Sequence, residues 1–152
     1  MNEQLDRALC AKYPVIFRDR HAPMSETAMC WGFACGDGWY PLIDMLCARL
    51  MRLSPTPTDI PIAVQVKEKF GGLRFYVNNA NDAQEAVIAF AEALSHRICE
   101  QCGTMNETTT YTNGWHKTLC PSCARLDGRD PITTGVFGES LTPGTDNDLW
   151  GV

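Results

Sequence analysis

Cys99-Glu100-Gln101-Cys102-Gly103 and, further along, Cys120-Pro121-Ser122-Cys123 are two Cys-x-x-Cys turns with 17 residues between them. Each turn aims two sulfurs at one point, and metal–sulfur bonds of about 2.3 Å close a tetrahedron when two such turns meet. The spacing is that of a four-cysteine zinc site. All four ligand places are filled by protein, so none stays open for a catalytic water. The implied cofactor is one structural Zn2+.

The residues between the pairs sharpen this. Thr108 to Thr112 read as a strand, Asn113-Gly114 as a tight turn, and the stretch from Trp115 as a returning strand. Gly103 follows the first pair, where such a turn needs positive φ. Ala124-Arg125-Leu126 begins a helix directly after the second pair. Knuckle, hairpin and helix resemble the treble-clef form of zinc finger; a zinc ribbon with two knuckles is the close alternative. His116 is the one spare ligand type nearby and reads as a surface or supporting residue. The module spans residues 99–126.

Upstream, residues 62–78 form a hairpin around Gly71-Gly72, a two-residue loop able to reach positive φ. That register pairs Phe70 with Leu73, Glu68 with Phe75 and Val66 with Val77. The opposite face carries Lys67, Lys69, Arg74 and Tyr76, a basic face with one aromatic. Two strands are marginal alone, so the apolar face must pack on helices. Asn81 with Gln84 is a capping box. It opens a helix whose apolar stripe reads Ala83, Val87, Phe90, Ala91, Leu94 and Ile98.

Residues 2–13 read as a first helix ended by Pro14, and residues 14–37 as irregular. A second helix runs from Pro41 to about Leu53, with Arg49 and Arg52 in its last turns, where cations suit the dipole. Residues 1–98 are thus an α+β body, with helices packed on a β-hairpin. Cys35-Gly36-Asp37-Gly38-Trp39 reads as a turn that starts the second helix. Its aromatics, Trp39 and Tyr40, are also partner-binding candidates, because aromatic anchors carry much of interface energy. Cys10, Cys30, Cys35 and Cys47 have no metal-ligand spacing and read as buried thiols.

The chain has 152 residues, is 45% hydrophobic and 20% charged, and falls within single-domain size. The formal net charge is −5. Residues 127–152 hold five acids (Asp127, Asp130, Glu139, Asp146, Asp148) against Arg129, so the tail is acidic and the body near neutral. A near-neutral body argues against non-specific DNA binding. The tail is rich in Gly, Pro and Thr, and Trp150 is its apolar anchor candidate. No apolar run approaches a membrane span. The opening residues lack the basic-then-apolar pattern of a secretory signal, so the expected location is cytoplasmic, with reduced thiols.

Val66-Lys67-Glu68-Lys69-Phe70-Gly71-Gly72-Leu73-Arg74-Phe75-Tyr76, Cys35-Gly36-Asp37-Gly38-Trp39-Tyr40, Gly114-Trp115 and the two cysteine pairs together resemble a group of small uncharacterised proteins of bacteriophages and mobile elements. The resemblance covers roughly residues 1–125 and implies a phage or prophage setting, in a host cell's cytoplasm. It implies no reaction. The leading expectation is a non-enzymatic accessory protein that binds a host or defence protein as inhibitor or adaptor. The alternative is a nucleic-acid-binding zinc protein that uses Lys67, Lys69, Arg74 and Tyr76. A small nuclease is the weakest reading, because three scattered histidines form no metal-binding pair.

Overall fold

The computed structural model describes residues 1–112 and 114–129. Among these residues four α-helices and two small sheets make an α+β fold. In chain order these are α1 (Glu3–Lys12), β1 (Phe33–Ala34), α2 (Tyr40–Arg52), β2 (Ile62–Lys69), β3 (Gly72–Asn78), α3 (Asp82–Ser95), β4 (Thr109–Tyr111), β5 (Lys117–Leu119) and α4 (Pro121–Leu126). Among the described residues no helix is long and apolar enough to cross a membrane.

The body sheet has the order β1-β2-β3. β1 pairs parallel to β2, and β2 pairs antiparallel to β3. β1 lies inside the stretch read as irregular. It has only two residues, too few to show alternation. α2 and α3 pack together, and α3 also lies on β3. The core between them is Trp39, Ile43, Leu46, Cys47, Leu50, Val66, Leu73, Phe75 and Ile88, joined by Leu9 and Tyr13 of the α1 segment.

The hairpin turns one residue earlier than expected. Glu68 faces Leu73 and Lys69 faces Gly72, so the loop is Phe70-Gly71. Both loop residues have positive φ, 55° and 77°, as this two-residue turn requires. Gly72 joins the strand, where a β-carbon would overlap the His96 ring. Each partner shifts by two positions, so the two faces keep their residues.

Of the stripe expected for α3, Ala91 and Ile98 are buried and Val87 and Leu94 pack against the core, while Ala83 and Phe90 fall outside it. The buried residues of the helix are Gln84, Ile88, Ala91 and Ser95, while Phe90 is 68% exposed. The two polar residues are tolerated inside because they are bonded. Gln84 donates to Ser54 Oγ (2.9 Å) and to the Asp59 carbonyl (3.1 Å). Ser95 Oγ accepts from the Leu73 N–H at 2.8 Å, which satisfies an edge of β3. The capping box is formed as read, with Asn81 and Gln84 bonding each other's backbone.

Candidate metal centre

The first cysteine pair sits on a knuckle closed by backbone bonds. Cys99 N–H donates to the Thr104 carbonyl and Gly103 N–H to the Cys99 carbonyl, both at 2.8 Å. Gly103 takes φ of 79°, the left-handed conformation expected of it. The second pair opens α4, with Cys120 at the N-cap, Pro121 in the first turn and Cys123 one turn on. β4 and β5 lie between the pairs as an antiparallel hairpin. Its tip includes Asn113, which lies outside the described residues. Knuckle, hairpin and a second pair at a helix start make a small zinc-ribbon-like four-cysteine module.

The four sulfurs lie within 4.8 Å of one another, and Cys102 and Cys120 are 3.8 Å apart. A tetrahedron with bonds of about 2.3 Å has sulfurs about 3.8 Å apart. The centre can therefore hold one zinc ion. Electrostatics agree. The Cys123 N–H draws the Cys120 thiol down to about 7, while burial and the neighbouring sulfurs push Cys123 up. One thiolate forms readily, and several in mutual contact need a cation. Tyr111, Leu119 and Ala124 pack beneath the centre as a small core of their own.

Cys10, Cys30, Cys35 and Cys47 lie outside this cluster. Cys35 is buried and its thiol is pushed up to about 12 by burial. Cys47 is buried within the α2 stripe.

The segment Gly36–Trp39 does more than start α2. Gly38 N–H donates to the Glu100 carbonyl at 2.8 Å, and Gly36 N–H to Glu100 Oε1 at 2.8 Å. Trp39 Nε1–H donates to the Ile98 carbonyl at 3.0 Å. The two glycines let this loop lie directly on the knuckle backbone. Trp39 is therefore not an accessible anchor: it is fully buried, a core residue that fastens the body to the chain entering the metal centre. Tyr40 is half-buried against the same core. Trp150 lies outside the described residues.

A second junction joins the tip of the body hairpin to the middle of β5. Thr118 Oγ1 donates to the Gly71 carbonyl at 2.6 Å and lies 2.7 Å from Thr110 Oγ1. Beside it opens a cleft of about 380 Å³, lined by Lys67, Glu68, Lys69, Phe70, Gly114, Trp115 and His116. Phe70 is 63% exposed and Trp115 72% exposed. Phe70 meets the His116 ring edge-on at 5.7 Å between centroids, with Lys69 Nζ 5.4 Å from its own centroid. Lys67 Nζ is 5.8 Å from the centroid of Tyr76.

Of the basic face, Lys67 and Lys69 are among the residues that line the cleft, with their ammonium groups at its rim, beside Tyr76 and Phe70. Arg74 does not line it. Its guanidinium lies 3.8 Å from Glu92 of α3 and also donates to the Leu73 carbonyl. Glu68, Phe70, Trp115 and His116 also line this cleft, which the sequence did not show as a unit. The signal available was aromatic residues beside both hairpin turns. No family model, curated protein or solved structure matches the chain.

Proposed function

We propose that the protein is a zinc-organised, non-enzymatic binding protein whose cleft between the hairpins takes single-stranded nucleic acid. The observation that carries this reading is the lining. Two lysines and two largely exposed aromatic rings surround a cleft of about 380 Å³ in a chain of formal net charge −5. Splayed bases stack on aromatic faces, and lysines follow the phosphates. Phe70 holds a left-handed backbone, uncommon for a bulky residue, and so presents its ring at the tip instead of in the core. The metal centre supplies rigidity: it fixes the β4–β5 hairpin that delivers Trp115 and His116.

The reading reverses the order set by the sequence, because burial of Trp39 removes the main anchor for a host or defence protein. A phage or mobile-element setting suits a single-strand binder equally well.

The test is fluorescence anisotropy of labelled RNA and DNA oligonucleotides with the zinc-loaded protein. Two phosphate-contacting lysines give a log K against log salt slope of about −1.4 for a single strand. A Lys67→Ala, Lys69→Ala double variant should flatten that slope, and Trp115→Ala should weaken binding at all salt concentrations. No binding to any oligonucleotide, with salt-insensitive capture of a host protein that depends on Phe70 or Trp115, would return the protein-binding reading to first place.

A further inference from the structure

We propose that Glu68 makes the cleft selective for bases that offer N–H donors, guanine foremost, over uracil and thymine. The proposal rests on the single-strand reading above and specifies its ligand.

Glu68 is the only acid among the cleft residues. It is gripped from two sides. Oε1 accepts from the Gly71 N–H at 2.6 Å, and Oε2 accepts from the Trp115 indole N–H at 2.7 Å. A carboxylate has about four lone-pair sites, so each oxygen keeps room for a further donor. The same bond that orients the carboxylate also orients the indole, so the acceptor and the stacking surface are fixed together. Glu68 repels phosphate, while Lys67 and Lys69 attract it. A nucleotide is thus favoured base inward and phosphate outward.

An acceptor-only wall discriminates by hydrogen-bond pattern. Guanine offers N1–H and N2–H side by side, which matches two carboxylate oxygens. Cytosine and adenine offer one amino group beside a ring nitrogen acceptor. Uracil and thymine place their single N–H between two carbonyl oxygens, which the carboxylate repels. The expected order is guanine, then cytosine and adenine, then uracil or thymine. A matched carboxylate–base contact discriminates by about ten-fold or more.

The experiment uses labelled RNA hexamers of uridine carrying one central guanosine, cytidine or adenosine, or none. They are titrated against the zinc-loaded full chain at low salt. The guanosine hexamer should bind about ten-fold tighter than the all-uridine one. Glu68→Gln, with zinc content and melting temperature checked, should reduce that gap to about two-fold, because an amide offers a donor to uracil carbonyls. Equal binding of all four hexamers by the wild-type chain overturns the role of Glu68 and leaves the cleft reading standing. Binding of none, or binding unaffected by Trp115→Ala and Lys69→Ala, overturns both. If Glu68→Gln fails to fold, the four wild-type affinities decide alone.

Discussion

Gly38 and Cys99 lie backbone against backbone: a β-carbon at position 38 would sit under 3.0 Å from the Cys99 carbonyl oxygen and from the Gly103 amide nitrogen. Neither atom can yield, because both belong to the knuckle that holds two of the metal ligands. Gly38→Ala should therefore push the knuckle off the body and destabilise the fold by about 1–3 kcal/mol, the usual cost of overpacking. It should also weaken zinc binding. Gly114→Ala is the contrast, since nothing lies within 4 Å of its β-carbon. Only its positive φ is strained, at about 1 kcal/mol. Thermal melts with chelator competition compare the two. Equal effects would show that the Gly38 contact is not tight in solution.

Zinc content and fold should fall together. Cys102→Ser or Cys120→Ser removes one ligand of the tetrahedron, and binding energy at such centres is folding energy. Elemental analysis should give one zinc per chain for the wild type and less for either variant. Chelation should loosen the knuckle that covers the fully buried Trp39 and shift the tryptophan emission to the red. A chelated chain with unchanged melting and emission would remove the metal from the account of the fold.

Trp39→Phe deletes the N–H that bonds the Ile98 carbonyl and, because phenyl is smaller than indole, also leaves a cavity at a fully buried site. The unpaired carbonyl alone should cost about 1–3 kcal/mol, and the cavity adds to the loss read by denaturant titration. Oligonucleotide affinity per folded molecule should not change. A large loss of binding with unchanged stability would mean that Trp39 reaches a ligand after all.

Acid should weaken the fold through His96. Burial, then the charge of Arg74, lowers its pKa below the ordinary value near 6.5. The folded state thus prefers the neutral ring. The associated stability is intact above about pH 6.5 and is lost as pH falls from there through the folded pKa. His96→Gln should make stability less steep across that window when both proteins are melted in excess zinc. Identical slopes would assign the acid sensitivity to the thiolates alone.

Much of this was legible in the residues. Paired cysteines at fixed spacing leave few geometric options, so the ligands and the knuckle could be read; the helix expected after Cys123 starts earlier, at Pro121, and takes Cys123 into its first turns. The capping box at Asn81 and Gln84 was equally local. Burial was less legible. Phe90 reads as core by type and lies outside, while Gln84 and Ser95 read as surface and lie inside, because tertiary bonds satisfied them. Gly71-Gly72 suggested a turn, but the loop is Phe70-Gly71, and both glycines are crowded by side chains distant in sequence, Thr110 and His96. Gly36 and Gly38 are small for a reason found only in a knuckle more than 60 residues away. No pattern within one segment reports a contact of that kind, and the cleft, built from two segments, was hidden for the same reason.

The bond between Gly36 and Glu100 joins positions 64 apart, and this sets a schedule for the chain as it is made. A ribosome adds about 5–20 residues per second, N-terminal end first. The Gly36–Trp39 loop therefore emerges roughly 5–15 s before Cys123, the last ligand. Until Ile98 follows, 59 residues after it, Trp39 has no carbonyl to bond, and until the knuckle closes on its ion the glycine loop has no fixed surface to rest on. The earliest part of the chain stays unfinished until the latest part has captured its ion, so scarcity of zinc in the cell would appear first as nascent chains with an uncovered tryptophan.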